Sequence, residues 1–432
     1  MTSGRGRNRP ADLLRVTAIG AVVVGHWLLT DVTYHDGRLS GRDALRYVGW
    51  APWVTLVLQV MPVFFVVGGY ANAVSWSARR QRGERGAAWV RVRVLGLLWP
   101  TAVYVVVAMG VVCVVAATGV AQRDELRQAG WFVALHLWFL PVYLVLIALT
   151  PALYALHLRW GLRFAALVAG VAVVVDVLVV GPGVPVVGGA NYLLVWGAMY
   201  LWGFAWHDGS LTRPRARCAA LGAGGVALLT ALLVWGPFPV AMIGAGTRVE
   251  NTSPPSVALL AFAAAQTGLL LTAEPALARL LTRPVLWRRV SRANTAVMTL
   301  YLWHMAPVIA VAVALYPAGI VPQPSIGSGA WLALRVGWVA LLAVLLLPLV
   351  RVVLWAERPL RHLPPGIGTL RRRSPVLLAV GTAVAAGALA RFAAVGFAPG
   401  GHPAWPVLLL FAGGLLLVLF SGRDAPPGSA DR

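Results

Sequence analysis

The 432-residue chain contains no lysine, only 14 acidic residues and only two cysteines, Cys113 and Cys218. Two cysteines exclude a disulfide scaffold and read as small apolar residues in or near apolar segments. Charged residues make up 12% of the chain, against about 25% in a soluble globular domain. That scarcity excludes an ordinary soluble enzyme and a disordered chain. Neither a Walker A loop, nor a dinucleotide glycine fingerprint, nor a zinc-type Cys/His spacing is found. We therefore expect no metal site and no permanently bound cofactor. No internal repeat is evident, and no acid-rich relay of the kind used by ion pumps crosses the apolar segments.

What is there is apolar: 59% of residues are hydrophobic. The formal net charge of +22 comes from 36 basic residues, all of them arginine. Such a charge fits either nucleic-acid binding or one face of a membrane protein beside anionic lipid. A spanning helix needs about 20 mostly apolar residues. Twelve such stretches lie near 11–33, 51–75, 94–118, 130–155, 162–181, 190–206, 216–237, 255–273, 294–316, 329–354, 375–395 and 402–421. Of the 36 arginines, 26 fall in the tails and loops of one side and six in those of the other. By the positive-inside rule this puts both termini in the cytoplasm. The first stretch is too long, and too interrupted by Arg15 and His26, to be a signal peptide. The expected fold is all-α: a polytopic membrane bundle of ten spans (1–365) plus two C-terminal spans and a tail (366–432). Arginines scattered over seven segments argue for a lipid bilayer as partner and against nucleic acid. Richness in Gly, Ala, Val and Arg suits a high-GC bacterium and its cytoplasmic membrane.

Polar residues at membrane depth are expensive and by default mark a site. In the first span, Arg15 and His26 are eleven residues apart. That is about 1100° of rotation, close to three full turns, so the two share one helix face about 16 Å apart along the axis. His304 follows Tyr301 by three residues, which makes them neighbours on one face. His136 begins a segment, His136 to Tyr143, that also holds Trp138 and could equally be an interfacial aromatic belt. Glu357-Arg358-Pro359 closes the tenth span and could equally be a simple helix terminus. Asp176 is a lone acid in the fifth span, best read as bonding another helix. The densest basic run, Arg79 to Arg93, fits either topology or a phosphate cradle.

Together these features resemble the acyltransferase-3 family of bacterial integral membrane acyltransferases. That family carries Arg or Lys, ten residues, then His in its first span, matched by Arg15 and His26. Its Phe-Phe-x-x-Ser-Gly-Tyr/Phe motif reads here Phe64-Phe65-Val-Val-Gly68-Gly69-Tyr70, with Gly68 in place of the serine. Arg91, Arg93 and Pro100 match its basic segment before the third span. Leu137 to Leu140 match its Leu-Trp-Phe-Leu, with Tyr143 and Pro151 after it. Tyr301 and His304 match its Tyr-x-x-His, and Glu357 to Pro359 its closing Glu-Arg-Pro. The resemblance covers roughly residues 10–365.

The resemblance implies transfer of an acyl group, acetyl in the first instance, from acyl-CoA to a hydroxyl of an envelope glycan, a glycolipid or a small molecule. It implies His26 as general base, with Arg15, His304 and Tyr301 assisting, or an acyl-histidine intermediate that relays the acyl group across the membrane; the sequence leaves direct transfer and relay both open. Arg15, Arg91 and Arg93 would hold the donor's phosphates. Phe64, Phe65, Gly69, Tyr70, His136, Trp138, Tyr143, Glu357 and Arg358 would shape the substrate site. The rival reading is a twelve-span secondary transporter of the major facilitator type, which predicts two similar halves; none are evident.

Overall fold

The computed structural model describes residues 8–244, 246–361 and 374–422. Helix α1 (Arg9–Leu29) is started by Asn8, whose side chain accepts from the backbone N–H of Ala11, and by Pro10, which needs no hydrogen-bond acceptor in the first turn. It ends four residues sooner than the apolar stretch suggests. Thr30–His35 (β1) and Arg38–Asp43 (β2) form an antiparallel hairpin instead. The signal for it is Asp36-Gly37, both at positive φ (49° and 75°), the two-residue turn whose twist suits a hairpin.

The hairpin carries a buried charge network at that end of the bundle. Asp31, 4% exposed, pairs with its cross-strand partner Arg42 at 2.8 Å and with Arg335. It also accepts from the Trp331 indole at 2.8 Å. Arg335 lies 4.3 Å over the Trp331 ring and donates to the Thr30 carbonyl. Paired in this way, the charges escape the cost of bare burial.

After the hairpin come α2 (Ala51–Leu58) and α3 (Met61–Gln81), broken at Gln59–Val60. The Gln59 side chain bridges the break, giving its amide to Met242 and accepting from the Met61 N–H. Next are α4 (Gly86–Thr118), α5 (Arg123–Phe132), a 3-10 turn at Leu135–Trp138 and α6 (Phe139–Trp160). Then follow α7 (Leu162–Val180), the single turn α8 (Pro185–Gly188), α9 (Asn191–Asp208), α10 (Ala216–Trp235) and α11 (Val257–Leu280). Asp176 of α7 accepts from the Val257 N–H at 2.9 Å and so caps α11. The chain continues with α12 (Pro284–Trp303), α13 (Ala306–Leu315), α14 (Gly329–Arg361), α15 (Pro375–Val395) and α16 (Trp405–Phe420).

Among the described residues, nine helices are long and apolar enough to cross a membrane, or ten if the bent pair α12–α13 counts as one. The twelve expected spans are thus nine or ten by this measure, and the other two are helices of a different kind. α9 is rich in Trp and Tyr and ends in His207-Asp208, which lowers its hydropathy; residues 195–206 are all buried, so protein surrounds it. α16 has 16 residues, fewer than the roughly 20 a full span needs.

Helix α9 lies against α3 in a crossing that only glycine permits. A Cβ on Gly69 would stand 2.0 Å from the Tyr200 carbonyl, and one on Gly203 would stand 2.2 Å from that of Val66. This close approach is the usual way membrane helices gain packing contacts. The same helices carry Phe64, Phe65 and Trp196, which pack beside the turn that holds His136.

Candidate active site

The α12–α13 break creates the site. Pro307 has no N–H for the carbonyl of Trp303, so the helix cannot continue and turns by 51°. His304 caps the break. Its carbonyl, freed from the helix ladder, accepts the Trp27 indole N–H of α1 at 2.7 Å. That bond docks α1 beside the break and brings two rings together. His26 Nδ1 lies 2.7 Å from His304 Nε2, with the rings within 10° of parallel.

The proton positions follow from partners. His304 Nδ1 faces the Tyr301 carbonyl at 2.8 Å, and only an N–H can do so favourably. For uncharged rings, His304 Nε2 is then a bare acceptor and His26 Nδ1 carries the proton it receives. The remaining lone pair is on His26 Nε2. His304 is completely buried, while His26 remains partly accessible. The pair thus has the geometry of a proton acceptor oriented by a second group.

Tyr301 acts elsewhere than on His26: its hydroxyl donates to the backbone carbonyl of His136. The His136 ring lies edge-on to His304 at 4.9 Å and to Tyr301 at 5.2 Å. It is 2% exposed, and the backbone of Leu302 lies beside its ring. The three histidines and Tyr301 therefore form one buried cluster between α1, α12 and the turn before α6. Trp138, also on that turn, tilts against Trp196 of α9 rather than sitting alone in an outer belt.

The Phe64–Tyr70 segment lies on α3 facing this turn. Phe64 and Phe65 pack edge-on against Phe139, and Phe65 also stacks on Trp196. Gly68 stands where the resembling motif has serine. A Cβ there would meet the Tyr143 ring at 2.6 Å, so Tyr143 fills the space that a serine side chain would take. The Tyr143 hydroxyl instead accepts from Asn72, which also donates to Tyr200 at 2.7 Å. Arg93 closes this buried chain by donating to Asn72 Oδ1 at 2.9 Å.

The arginines expected to hold phosphates lie apart from one another. Arg15 lies toward α12, 3.4 Å from Asn294 Oδ1 and 3.9 Å from Asp12. The Arg91 guanidinium is buried and donates to the carbonyls of Val418 and Leu419 at the end of α16. Glu357 is 4% exposed near the end of α14; the side chains of Arg358 and Pro359 lie outside the described residues.

A cavity of about 720 Å³ opens at the end of the bundle where α1 begins. Arg9, Arg213, Arg215 and His207 line it, with Tyr70, Trp206 and Glu274. Tyr70 and Trp206 lie tilted against each other with ring centres 4.3 Å apart, and both the Trp206 indole and Asn8 donate to Glu274 Oε1. Of the residues singled out in the sequence, only Tyr70 lines it. Arg213 and Arg215 flank Pro214 in a short loop that reads in sequence as topology alone, which is why the chemistry of this cavity was not legible there.

A histidine pair within a helical membrane bundle, with a cationic cavity at the end of the bundle where α1 begins, is a candidate group-transfer site. Comparison with known families specifies the group. The acyltransferase-3 profile, described as an acyltransferase domain, matches residues 10–356. The chain belongs to this family and is a multi-pass membrane acyltransferase, which disfavours the transporter reading. No curated protein and no solved structure matches the chain. The matched range ends before α15 and α16.

Proposed function

We propose that the chain is an O-acyltransferase of a bacterial cytoplasmic membrane, with both termini and the arginine-lined cavity on the cytoplasmic side. The donor is an acyl-CoA, with acetyl-CoA the first to test. The acceptor is a hydroxyl of an envelope glycan, a glycolipid or a secondary metabolite. Residues 1–365 act as the catalytic core and 366–432 as an addition to it.

The observation that carries this reading is the His26–His304 contact at 2.7 Å, with His304 itself anchored on Tyr301. His26 Nε2 takes the proton of the acceptor hydroxyl as its oxygen attacks the thioester carbonyl carbon. The C–S bond then breaks, and the leaving thiolate recovers the proton from His26, so the ring returns to its starting state. His304 accepts from His26 throughout and stabilises the imidazolium that forms between the two transfers.

Arg9, Arg213 and Arg215 supply the donors for the nucleotide phosphates, a task suited to guanidinium groups. Arg15 lies one turn of helix or more deeper than Arg9, on the side of Asn294. It serves the pyrophosphate end of the donor if it leaves Asn294, and its weak 3.4 Å bond there leaves it free to do so.

The test is transfer of labelled acyl groups from acyl-CoA by the purified protein and by its His26→Ala and Arg15→Ala variants. Loss of transfer in His26→Ala is expected. Wild-type transfer in that variant would remove His26 as the base.

A further inference from the structure

Five helical threonines, Thr101, Thr118, Thr150, Thr272 and Thr382, hand their hydroxyl to the carbonyl four residues earlier. Thr267 of α11 does not. It is 3% exposed, and its Oγ1 has no hydrogen-bond partner. A buried hydroxyl left unpaired is costly, so this one is a candidate for a ligand.

Thr267 lines a narrow cleft of about 10 Å³ with Leu14, Val66 and Leu270. Trp206 and Leu271 line both this cleft and the arginine-lined cavity, so the cleft lies directly behind that part of the cavity wall. Its volume is close to that of a single water position. Thr267 and Glu274 are seven residues apart, about 700° of rotation, so they share one face of α11 about 10 Å apart. One of them meets the cleft and the other the cavity. Next along the helix, Gln266 gives its amide N–H to the Gln59 carbonyl, while its buried Oε1 also has no partner. Gln266 is not among the residues lining the cleft, so the Thr267 hydroxyl is the unpaired group in it; an apolar cleft with one unpaired hydroxyl matches a ligand that is mostly aliphatic and carries an amide.

We propose that this cleft is the closed form of the track for the donor's pantetheine arm, with the Thr267 hydroxyl bonding an amide of the arm. The proposal rests on the acyl-CoA reading above. The residues between Thr267 and the cavity are side-chain walls, Leu14, Leu270 and Leu271, and rotamer changes there widen the track without moving a helix. The arm then runs from the nucleotide in the cavity toward the α2–α3 break at Gln59, next to which Leu58 packs on Gly25, the neighbour of His26.

The test uses the purified full chain and two ligands, CoA and adenosine 3′,5′-bisphosphate, measured by calorimetry. Thr267→Val keeps the shape and removes the hydroxyl. We expect it to weaken CoA by about three- to tenfold, as loss of one neutral hydrogen bond does. It should leave the bisphosphate, which has no arm, unchanged. Thr267→Ser should bind CoA like the wild type. Equal CoA affinity in wild type and Thr267→Val, with the bisphosphate still bound, would overturn the track while leaving the donor reading intact. So would a Thr267→Ser variant as weak as Thr267→Val, since packing and not the hydroxyl would then be at work. Wild-type protein that binds neither ligand would overturn the donor reading itself, and the track with it.

Discussion

The histidine cluster and the arginine-lined cavity are opposite solutions within one bundle. The cluster is largely enclosed: His304 is fully buried, His136 is 2% exposed and only His26 keeps some access, and each bond that orients the His26–His304 pair is specified by a partner. The cavity is about 720 Å³, open and lined by three arginines. Proton transfer needs a fixed geometry with water excluded, because a low-dielectric surrounding strengthens each polar contact. Capture of a charged ligand needs room and guanidinium groups that adjust to it. The difference teaches that damage to the two regions should be separable in kinetics.

The sharpest break is His26→Ala. It should lower kcat by about 10²- to 10⁴-fold, the usual contribution of a general base, with the donor KM little changed. A steady-state assay with saturating donor checks this. His304→Ala leaves the base but removes the acceptor that orients it. We expect a loss in kcat of about 10²-fold, and no effect on binding of adenosine 3′,5′-bisphosphate. Equal loss of nucleotide binding would mean that the two regions are not independent.

From the other side, the double variant Arg213→Gln, Arg215→Gln should raise the donor KM by about tenfold or more, with kcat nearly unchanged. Its KM should also depend less on salt than that of the wild type, because screened charge is what was removed. The smallest effect should come from Tyr301→Phe. It removes the bond to the His136 carbonyl but leaves the His304 anchor, which is a backbone carbonyl. A drop of a few fold in kcat is expected, from about 1 kcal/mol of lost positioning.

How much of this was legible in the sequence differs from residue to residue. Arg15 and His26 stand out because a charge and an imidazole within an apolar run are conspicuous. That His26 meets His304 was not legible, because 278 residues separate them and the packing of α1 on α12, with the Trp27–His304 bond at the break, brings them together. Pro307 announces a break, but not that the freed carbonyl would be taken by an indole. The hairpin at Thr30–Asp43 was masked by its apolar neighbours, although Asp36-Gly37 signals it. Arg91 reads as a phosphate contact by its charge, yet it is tied to the carbonyls at the end of α16, a partner more than 300 residues away. The missing serine at Gly68 reads as a lost hydroxyl; the Tyr143 ring that fills its place is visible only in three dimensions.

Composition and local pattern by themselves determined the class of environment, the helical fold, the order of apolar segments and the identity of the two polar residues in the first span. They did so because lipid forces each segment to satisfy its own backbone, so that segment length and apolarity suffice. Tertiary structure alone decided which polar side chains share a site. It made a base pair of His26 and His304, sent Arg91 to a helix end, gathered Arg9, Arg213 and Arg215 around one cavity, and left the Thr267 hydroxyl without a partner. Those pairings depend on glycine-permitted crossings and on one broken helix, and no local periodicity encodes which distant side chain such a contact will bring near.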